Sequence, residues 1–276
     1  MNRNFTEKLL DKHLNTEYYP SSFSVTKFTN NVLQILFPAL SKSRKKFRTL
    51  EDINKGLDEL QIELASILSK IPSITDQSAT LAGTFFQRLP EVYELLQTDI
   101  ETIVKEDPAA VSEYEVIRAY PGFYAIAFYR LAHLLHQLDI PLLPRVLTEY
   151  AHSRTGIDIH PSAEIGPYFF IDHGTGIVIG ATTNIGKYVK IYQGVTLGAL
   201  SVSKELSETK RHPTIEDNVV IYSGATILGG DTVIGQGSVI GGNVWLTKSI
   251  PAYSVVYHIA EIDLRRAQDK AAFIKK

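Results

Sequence analysis

The chain of 276 residues contains no cysteine. That one absence excludes disulfide frameworks, thiolate zinc sites and cysteine nucleophiles together, and it fits a reducing compartment. Long apolar runs are missing too. The most apolar stretch, Phe123–Leu138, is broken by Arg130 and His133, short of the roughly 18 uninterrupted apolar residues that mark a membrane span. The opening segment Met1–Leu14 is studded with charge and lacks the apolar core of a signal peptide, so a cytoplasmic chain with no membrane association is expected. An excess of either charge is also absent. Lys plus Arg number 28 against 30 for Asp plus Glu, a net charge of −2, which lacks the basic balance of a nucleic-acid binder. Hydrophobic residues at 44% and charged residues at 21% are ordinary globular proportions and argue against wholesale disorder.

What is present divides into two textures. Between Thr49 and Ile71, apolar residues fall at Leu50, Ile53, Leu57, Leu60, Leu64, Ile67 and Ile71. Steps alternating between three and four trace one stripe of a helix. Thr49 with Asp52 reads as a capping box at its start, and Pro72 as its stop. Pro90, Pro108, Pro121 and Pro141 are each expected to open a helix. Residues 1–150 are therefore expected to form an α-helical domain of roughly six to eight helices. The basic run Lys42, Arg44, Lys45, Lys46, Arg48 is read as a solvated loop, with a docking site for an acidic partner as the alternative.

From Ile159 onward the period changes to six. Ile or Leu recurs at 159, 165 and 171, then at 179, 185, 191 and 197, at 215, 221 and 227, and at 234, 240 and 246. Six matches neither helix nor alternating strand. It matches a chain that lays a short strand, turns about a third of a circle and repeats, closing a triangular coil every three hexads. The small or β-branched residues four places on (Ala163, Thr175, Thr183, Val189, Val195, Ala225, Ser238, Val244) are expected to fill the rest of the interior. The fold class is thus α + β: a helical domain, then a left-handed parallel β-helix over 151–260, then a tail, 261–276. The register slips by two residues between 171 and 179 and by one between 227 and 234, where irregular turns are expected. Between Leu197 and Ile215 the pattern gives way to the polar segment 199–214, read as a loop thrown out from a coil, where function commonly resides. Association along the prism edges into a trimer is expected.

Of eight histidines, His173 stands apart. It lies two places after the inward Ile171, flanked by Gly174 and Gly176, which leave room for a ligand. Asp158 precedes it by fifteen residues, slightly less than one coil, so a carboxylate–imidazole bond between adjacent coils is within reach. A histidine oriented in this way is a general base of fixed tautomer. A purely structural hydrogen-bonded pair is the alternative reading of the same residues.

The motifs Asp158-Ile-His-Pro161, Asp172-His-Gly-Thr-Gly176, Val195-Thr-Leu-Gly198 and Arg211-His-Pro213 resemble those of serine O-acetyltransferase. Glu106-Asp-Pro-Ala-Ala110 and Gly122–His133 are similar to that family's helical domain, so the likeness runs from about 95 to 256. The resemblance implies transfer of an acetyl group from acetyl-coenzyme A to L-serine, with no metal. It implies His173 as the base and Asp158 as its orienting carboxylate. Asp107 and Asp172 would take the substrate ammonium, Arg211 the carboxylate, and His212 would complete the serine pocket. A zwitterion needs this division of charge. On the residues alone, Asp107 before Pro108 also reads as a helix N-cap, and Arg211 as a loop cation. For coenzyme A the matching positions are Gly198, Ala199, Ser223, Gly224, Ala225 and Gly242, with Lys248 toward a phosphate, in a groove between neighbouring prisms.

A homotrimer or a dimer of trimers is expected. Family members that dock on cysteine synthase end in Ile, whereas this chain ends Phe273-Ile-Lys-Lys276, which argues against that partner. Competing readings are a zinc enzyme of the γ-carbonic anhydrase type using His160, His173 and His212, another hexapeptide acyltransferase acting on a different hydroxyl, and a non-catalytic scaffold.

Overall fold

The computed structural model describes residues 3–41, 47–200 and 209–259. The basic segment 42–46, the middle of the polar loop (201–208) and the tail 261–276 lie outside the described residues. Among the described residues seven α-helices come first: α1 Arg3–Asn15, α2 Ser22–Leu36, α3 Leu50–Leu68, α4 Ser78–Glu106, α5 Glu113–Ala119, α6 Pro121–Gln137 and α7 Leu143–Thr155. The capping box of α3 forms as read from the sequence: the Asp52 N–H donates to Thr49 Oγ1 at 3.1 Å, and the Thr49 N–H to Asp52 Oδ2 at 3.0 Å. Its stripe buries Leu60, Leu64 and Ile67, while Leu50 and Ile53 at the opening turns remain exposed.

The prolines behave differently from the expectation. Pro121 does open α6. Pro90 lies inside the unbroken α4; Leu89 and Val92 beside it are buried, so packing outweighs the hydrogen bond that proline removes. Pro108 follows Asp107, the C-cap of α4, and stops that helix instead of starting another. The next helix waits for its own cap, Ser112, whose Oγ accepts from the Glu115 N–H at 3.2 Å. Pro141 precedes α7, whose first residue is Leu143.

Three parallel sheets then wind into a β-helix of about five turns. The first face stacks β1 Asp158–Ile159, β4 Val178–Ile179, β7 Thr196–Gly198, β10 Thr226–Leu228 and β13 Trp245–Leu246. The second stacks β2 Glu164–Ile165, β5 Asn184–Ile185, β8 Thr214–Ile215 and β11 Val233–Ile234. The third stacks β3 Phe170–Asp172, β6 Lys190–Tyr192, β9 Val220–Ile221, β12 Val239–Ile240 and β14 Val255–Val256. Hexad aliphatics pair in register, Ile159 with Ile179, Ile165 with Ile185 and Ile171 with Ile191. All thirteen are buried except Leu246, on the last turn, which is partly covered. The fold class is the one the hexads announce.

The secondary interior column is filled as expected with one exception. Thr175 is exposed, and Ile177 takes the interior place. The two-residue slip explains it. On the second coil Asp172 aligns with Tyr192, and Thr175 lies beside Gly194, whose N–H donates to the Thr175 carbonyl. The corner between the third and first faces is therefore two residues longer: His173 is thrown outward there, while Gly174 is buried against Ile157 and Ile171.

A buried ion pair joins helices to solenoid. Arg130 Nε and Nη2 donate to Asp99 at 2.5 and 2.8 Å, and Nη2 and Nη1 reach the carbonyls of Gly166 and Ile165 at 2.9 and 3.2 Å. Asp99 Oδ1 in turn accepts from the Phe169 N–H at 2.9 Å. Both side chains are almost fully buried, so removing one leaves the other charge unpaired in low dielectric. Arg130→Met is expected to cost about 3–5 kcal/mol in urea unfolding; a loss below about 1 kcal/mol would show that the pair behaves as a surface bridge does.

Candidate active site

The extruded corner faces a cleft of about 690 Å³ between solenoid and helices. Asp107 and Pro108 reach it from the end of α4, Tyr120 and Pro121 from the junction of α5 and α6, and Asp172, His173 and Thr175 from the corner after β3. Gly122 makes this approach possible: a Cβ there would lie 2.4 Å from the Ile171 carbonyl oxygen, so only glycine lets the first turn of α6 rest on β3. Three residues predicted for the site, Asp107, Asp172 and His173, thus meet in one cleft.

Asp107 is held firmly. Its Oδ1 accepts from the Ala109 N–H at 2.8 Å, and its Oδ2 from the Tyr120 hydroxyl at 2.9 Å. It caps no following helix. Tyr120 is the residue that the sequence reading missed, because it belongs to no repeat and no charged motif. Burial pushes its hydroxyl up to about 12, reinforced by the hydrogen bond to Asp107 and by the charge of that carboxylate, so it remains a donor. His173 adopts φ of +58°, yet Tyr168, Tyr188, Asn218, Asn243 and Tyr253 do the same. The left-handed conformation is therefore the solenoid's general way of turning a corner, and it is not peculiar to this site.

The expected bond between Asp158 and His173 is not formed. The carboxylate nearest the imidazole is Asp172, with Oδ1 3.8 Å from Nε2. Asp158 instead lies with Glu149 and His152, the three donor sets within 4.8 Å of one another. Its backbone does lie beside the His173 corner: the Asp158 N–H donates to the Ile177 carbonyl, and the Gly176 N–H to that of Gly156. As a cation site the Glu149 cluster would have to compete with Arg145, which already pairs with Glu149.

Arg211 and His212 sit elsewhere. The polar loop returns between the first and second faces, so these residues lie on a different prism edge from His173, across the first sheet. His212 is buried against Gly180, where a Cβ would fall 2.0 Å from its ring. Its Nδ1 accepts from the Thr182 N–H at 3.1 Å, which leaves the proton on Nε2. Burial holds His212 down to about 4, helped by the charges of Arg211 and Lys210. His160, which accepts from the Ser162 N–H at 3.2 Å, is likewise lowered to about 4 by burial first and then by Arg145. Neither histidine lines the cleft.

The residues matched to coenzyme A divide between the same two edges. Ser223, Gly224 and Gly242 rise along the edge that carries His173, where Gly176, Gly194 and Gly224 stack with positive φ and leave a strip of bare backbone. Gly198, Ala199 and Lys248 lie on the opposite edge of the first sheet. Ala225, on the same edge as Gly224, fills the small interior position of its hexad and is fully buried, so only its backbone is open to a ligand role.

No family model matches the chain. It is 47% identical over 235 residues to the plasmid serine acetyltransferase of Synechococcus elongatus, an alignment spanning 83% of this chain and 70% of that protein. The chain belongs to the serine acetyltransferase family. It is accordingly an acyltransferase. Among solved structures it resembles serine acetyltransferase isoform 3 of Entamoeba histolytica in complex with cysteine, with a TM-score of 0.78 and 34% identity, covering 90% of this chain and 87% of that one. The serine acetyltransferase of Neisseria gonorrhoeae in complex with serine follows with a TM-score of 0.62 and 26% identity, over 90% of this chain and 98% of that one. Among the described residues of this family member, no helix is long and apolar enough to cross a membrane.

The two buried histidines make a prediction about acid. Their folded values lie near 4, below the ordinary 6.5, so the unfolded chain binds more protons between those limits. Stability contributed by neutral His160 and His212 is present above about 6.5 and declines as pH falls toward 4. The melting temperature is expected to drop between pH 7 and pH 5, and His212→Asn, which keeps an acceptor for the Thr182 N–H, to flatten that slope. An unchanged slope in the variant would remove His212 from the account.

Proposed function

We propose that this protein transfers the acetyl group of acetyl-coenzyme A to the hydroxyl of L-serine, with His173 as general base. The observation that carries this reading is the meeting of Asp107, Asp172 and His173 in one cleft of a serine acetyltransferase family member. Two carboxylates suit an ammonium group, and an adjacent imidazole suits the hydroxyl oxygen three bonds from that nitrogen in the same small molecule. That relatives have been solved with serine and with cysteine supports an amino acid of this size as the ligand.

In the proposed reaction the serine ammonium settles against Asp107 and Asp172. The imidazole of His173 removes the hydroxyl proton as the oxygen bonds to the thioester carbonyl carbon. The tetrahedral oxyanion then collapses, the carbon–sulfur bond breaks, and the departing thiolate takes the proton from the imidazolium. Catalytic hydrogen bonds commonly tighten only with substrate bound. With the ammonium drawing on Asp172, His173 is released to Asp158, whose backbone already lies beside the corner; this is the orienting role proposed for Asp158.

One chain does not complete the site. Arg211, proposed for the substrate carboxylate, and His212, proposed as the far wall of the serine pocket, lie on the other edge of the first sheet, as do Gly198 and Ala199, whose backbone N–H groups are the proposed oxyanion donors. A second copy that sets this edge against the His173 edge of the first brings both halves together. It also makes the groove for the coenzyme A arm between Gly224 and Gly242 on one side and Lys248 on the other. Cyclic repetition of that contact gives the proposed trimer.

Thiol release from acetyl-coenzyme A is expected to depend on L-serine and to be weak with homoserine or no acceptor; release indifferent to L-serine sinks the assignment. In the same assay His173→Ala loses roughly 10²–10⁴-fold in rate while remaining folded. Asp172→Asn chiefly raises the KM for serine, and Asp158→Asn chiefly lowers kcat. The shared site has a separate test. His173→Ala and Arg211→Ala subunits, each inactive alone, are expected to recover activity when unfolded and refolded together, because some interfaces then carry both native residues. No recovery would mean that each chain works by itself.

A further inference from the structure

We propose that Lys190 is a positioning residue for the ammonium site, holding the end of α4 and the end of β3 at a fixed separation. The inference rests on the reading of the cleft as the serine site, and it concerns a residue that no motif marks. Lys190 stands on β6 opposite Phe170 of β3. Its Nζ lies 3.7 Å from Asp172 Oδ2 and donates to the Glu106 carbonyl at 3.4 Å. Glu106 is the residue immediately before Asp107, and Asp172 the one immediately before His173. A single ammonium therefore ties together the two backbone segments from which both proposed carboxylates and the proposed base project.

The tie is enclosed. Nζ sits 4.4 Å from the centre of the Phe170 ring and 5.0 Å from that of Tyr192, and the side chains of Lys190 and Asp172 are only 16% and 17% exposed. Ion pairs and cation–π contacts strengthen when water is excluded, and a long, flexible side chain gives up rotamer freedom to be held this way. Lys190 does not line the cleft itself. It lines the neighbouring groove, with Glu106, Tyr168 and Tyr188, and so meets Asp172 without occupying the cleft. Asp107 has Tyr120 and the Ala109 N–H to fix it. Among the described residues, Asp172 pairs with the exposed His173 and with Lys190 alone, so the cation is what keeps its carboxylate in place beside a second negative charge.

The test is steady-state kinetics of Lys190→Met and Lys190→Arg against the parent, with both substrates varied. Lys190→Met is expected to raise the KM for L-serine about tenfold, equivalent to about 1.4 kcal/mol. Its kcat and its KM for acetyl-coenzyme A are expected to stay within about twofold, and its melting temperature within about 2 °C. Lys190→Arg, which keeps the charge, stays close to the parent. An unchanged KM for serine overturns the proposal, and so does a lowered one, which would mean that Lys190 merely dilutes the negative charge of the site. A rise in both KM values with a fallen melting temperature overturns it too, since that is a general structural defect. Should the Met variant not fold, Lys190→Gln is read by the same criteria. If the parent itself shows no dependence on L-serine, the functional reading fails and takes this inference with it; if the parent does and the variants do not differ, this inference fails alone.

Discussion

The narrow interior of a three-sided coil governs everything else in the solenoid. Each face takes one large aliphatic residue per turn, and the interior place beside each corner takes a small or β-branched one in most coils, with Phe169 on the first coil as the larger exception. Ile159, Ile179, Leu197 and Ile227 stack on the first face because nothing polar and nothing larger fits there. Once these positions are spent on packing, chemistry is left to the edges and the outward faces. A six-residue repeat also leaves little freedom at an edge, since its backbone must bond to the coils above and below. Regular corners project side chains too, Tyr188 among them, but the extra length that reaches the cleft comes where the repeat is broken. His173 is such a break: it stands in the two-residue insertion that also ejects Thr175 from the interior.

A rigid solenoid supplies one rim of a cleft, and the helices must supply the other with matching accuracy. The Asp99–Arg130 pair is the hinge pin of that match. Asp99 grips the Phe169 N–H at the start of β3, while Asp107, two turns further along the same helix, confronts Asp172 and His173 at the strand's other end. The same strand and the same helix thus meet at both ends, and their separation is carried by backbone hydrogen bonds within each. Gly122 performs the equivalent task for α6 by letting it rest on the Ile171 carbonyl.

The solenoid was legible in the sequence because its constraint is local and periodic. Thirteen register positions and two slips are plain in it; the slip after Ile171 marks the irregular corner, and a place two residues beyond that inward isoleucine puts His173 outside the core. The helices were less legible, for a physical reason. Proline has a strong local preference for a first turn, but tertiary packing overrode it at Pro90, and at Pro108 the same ring stopped one helix without starting another. In the cleft, charged residues within short motifs could be found, whereas Tyr120 could not, since its importance comes from two distant elements converging. Asp158 is the converse case. Its spacing put it on the correct corner, yet side-chain direction is decided by neighbours, and Glu149 and His152 from α7 lie on its other side.

The exposure of His173 bears on the proposed completion of the site by a second copy. Its side chain is 73% exposed in a single chain, and an imidazole open to water is a poor base for a reaction that has to favour one alcohol over a vast excess of solvent. Water exclusion strengthens every charge interaction in a cleft and suppresses hydrolysis of the thioester. Among the described residues, the His173 ring meets Asp172 and shares its cleft with the helix junction, and the glycines at 176, 194 and 224 leave a strip of bare backbone along the same edge. A neighbouring prism edge would cover both at once, bringing a guanidinium to the side of the cleft that has only carboxylates. On this view the bare edge is not a weakness of the solenoid but the half of a site that a symmetric assembly is needed to close.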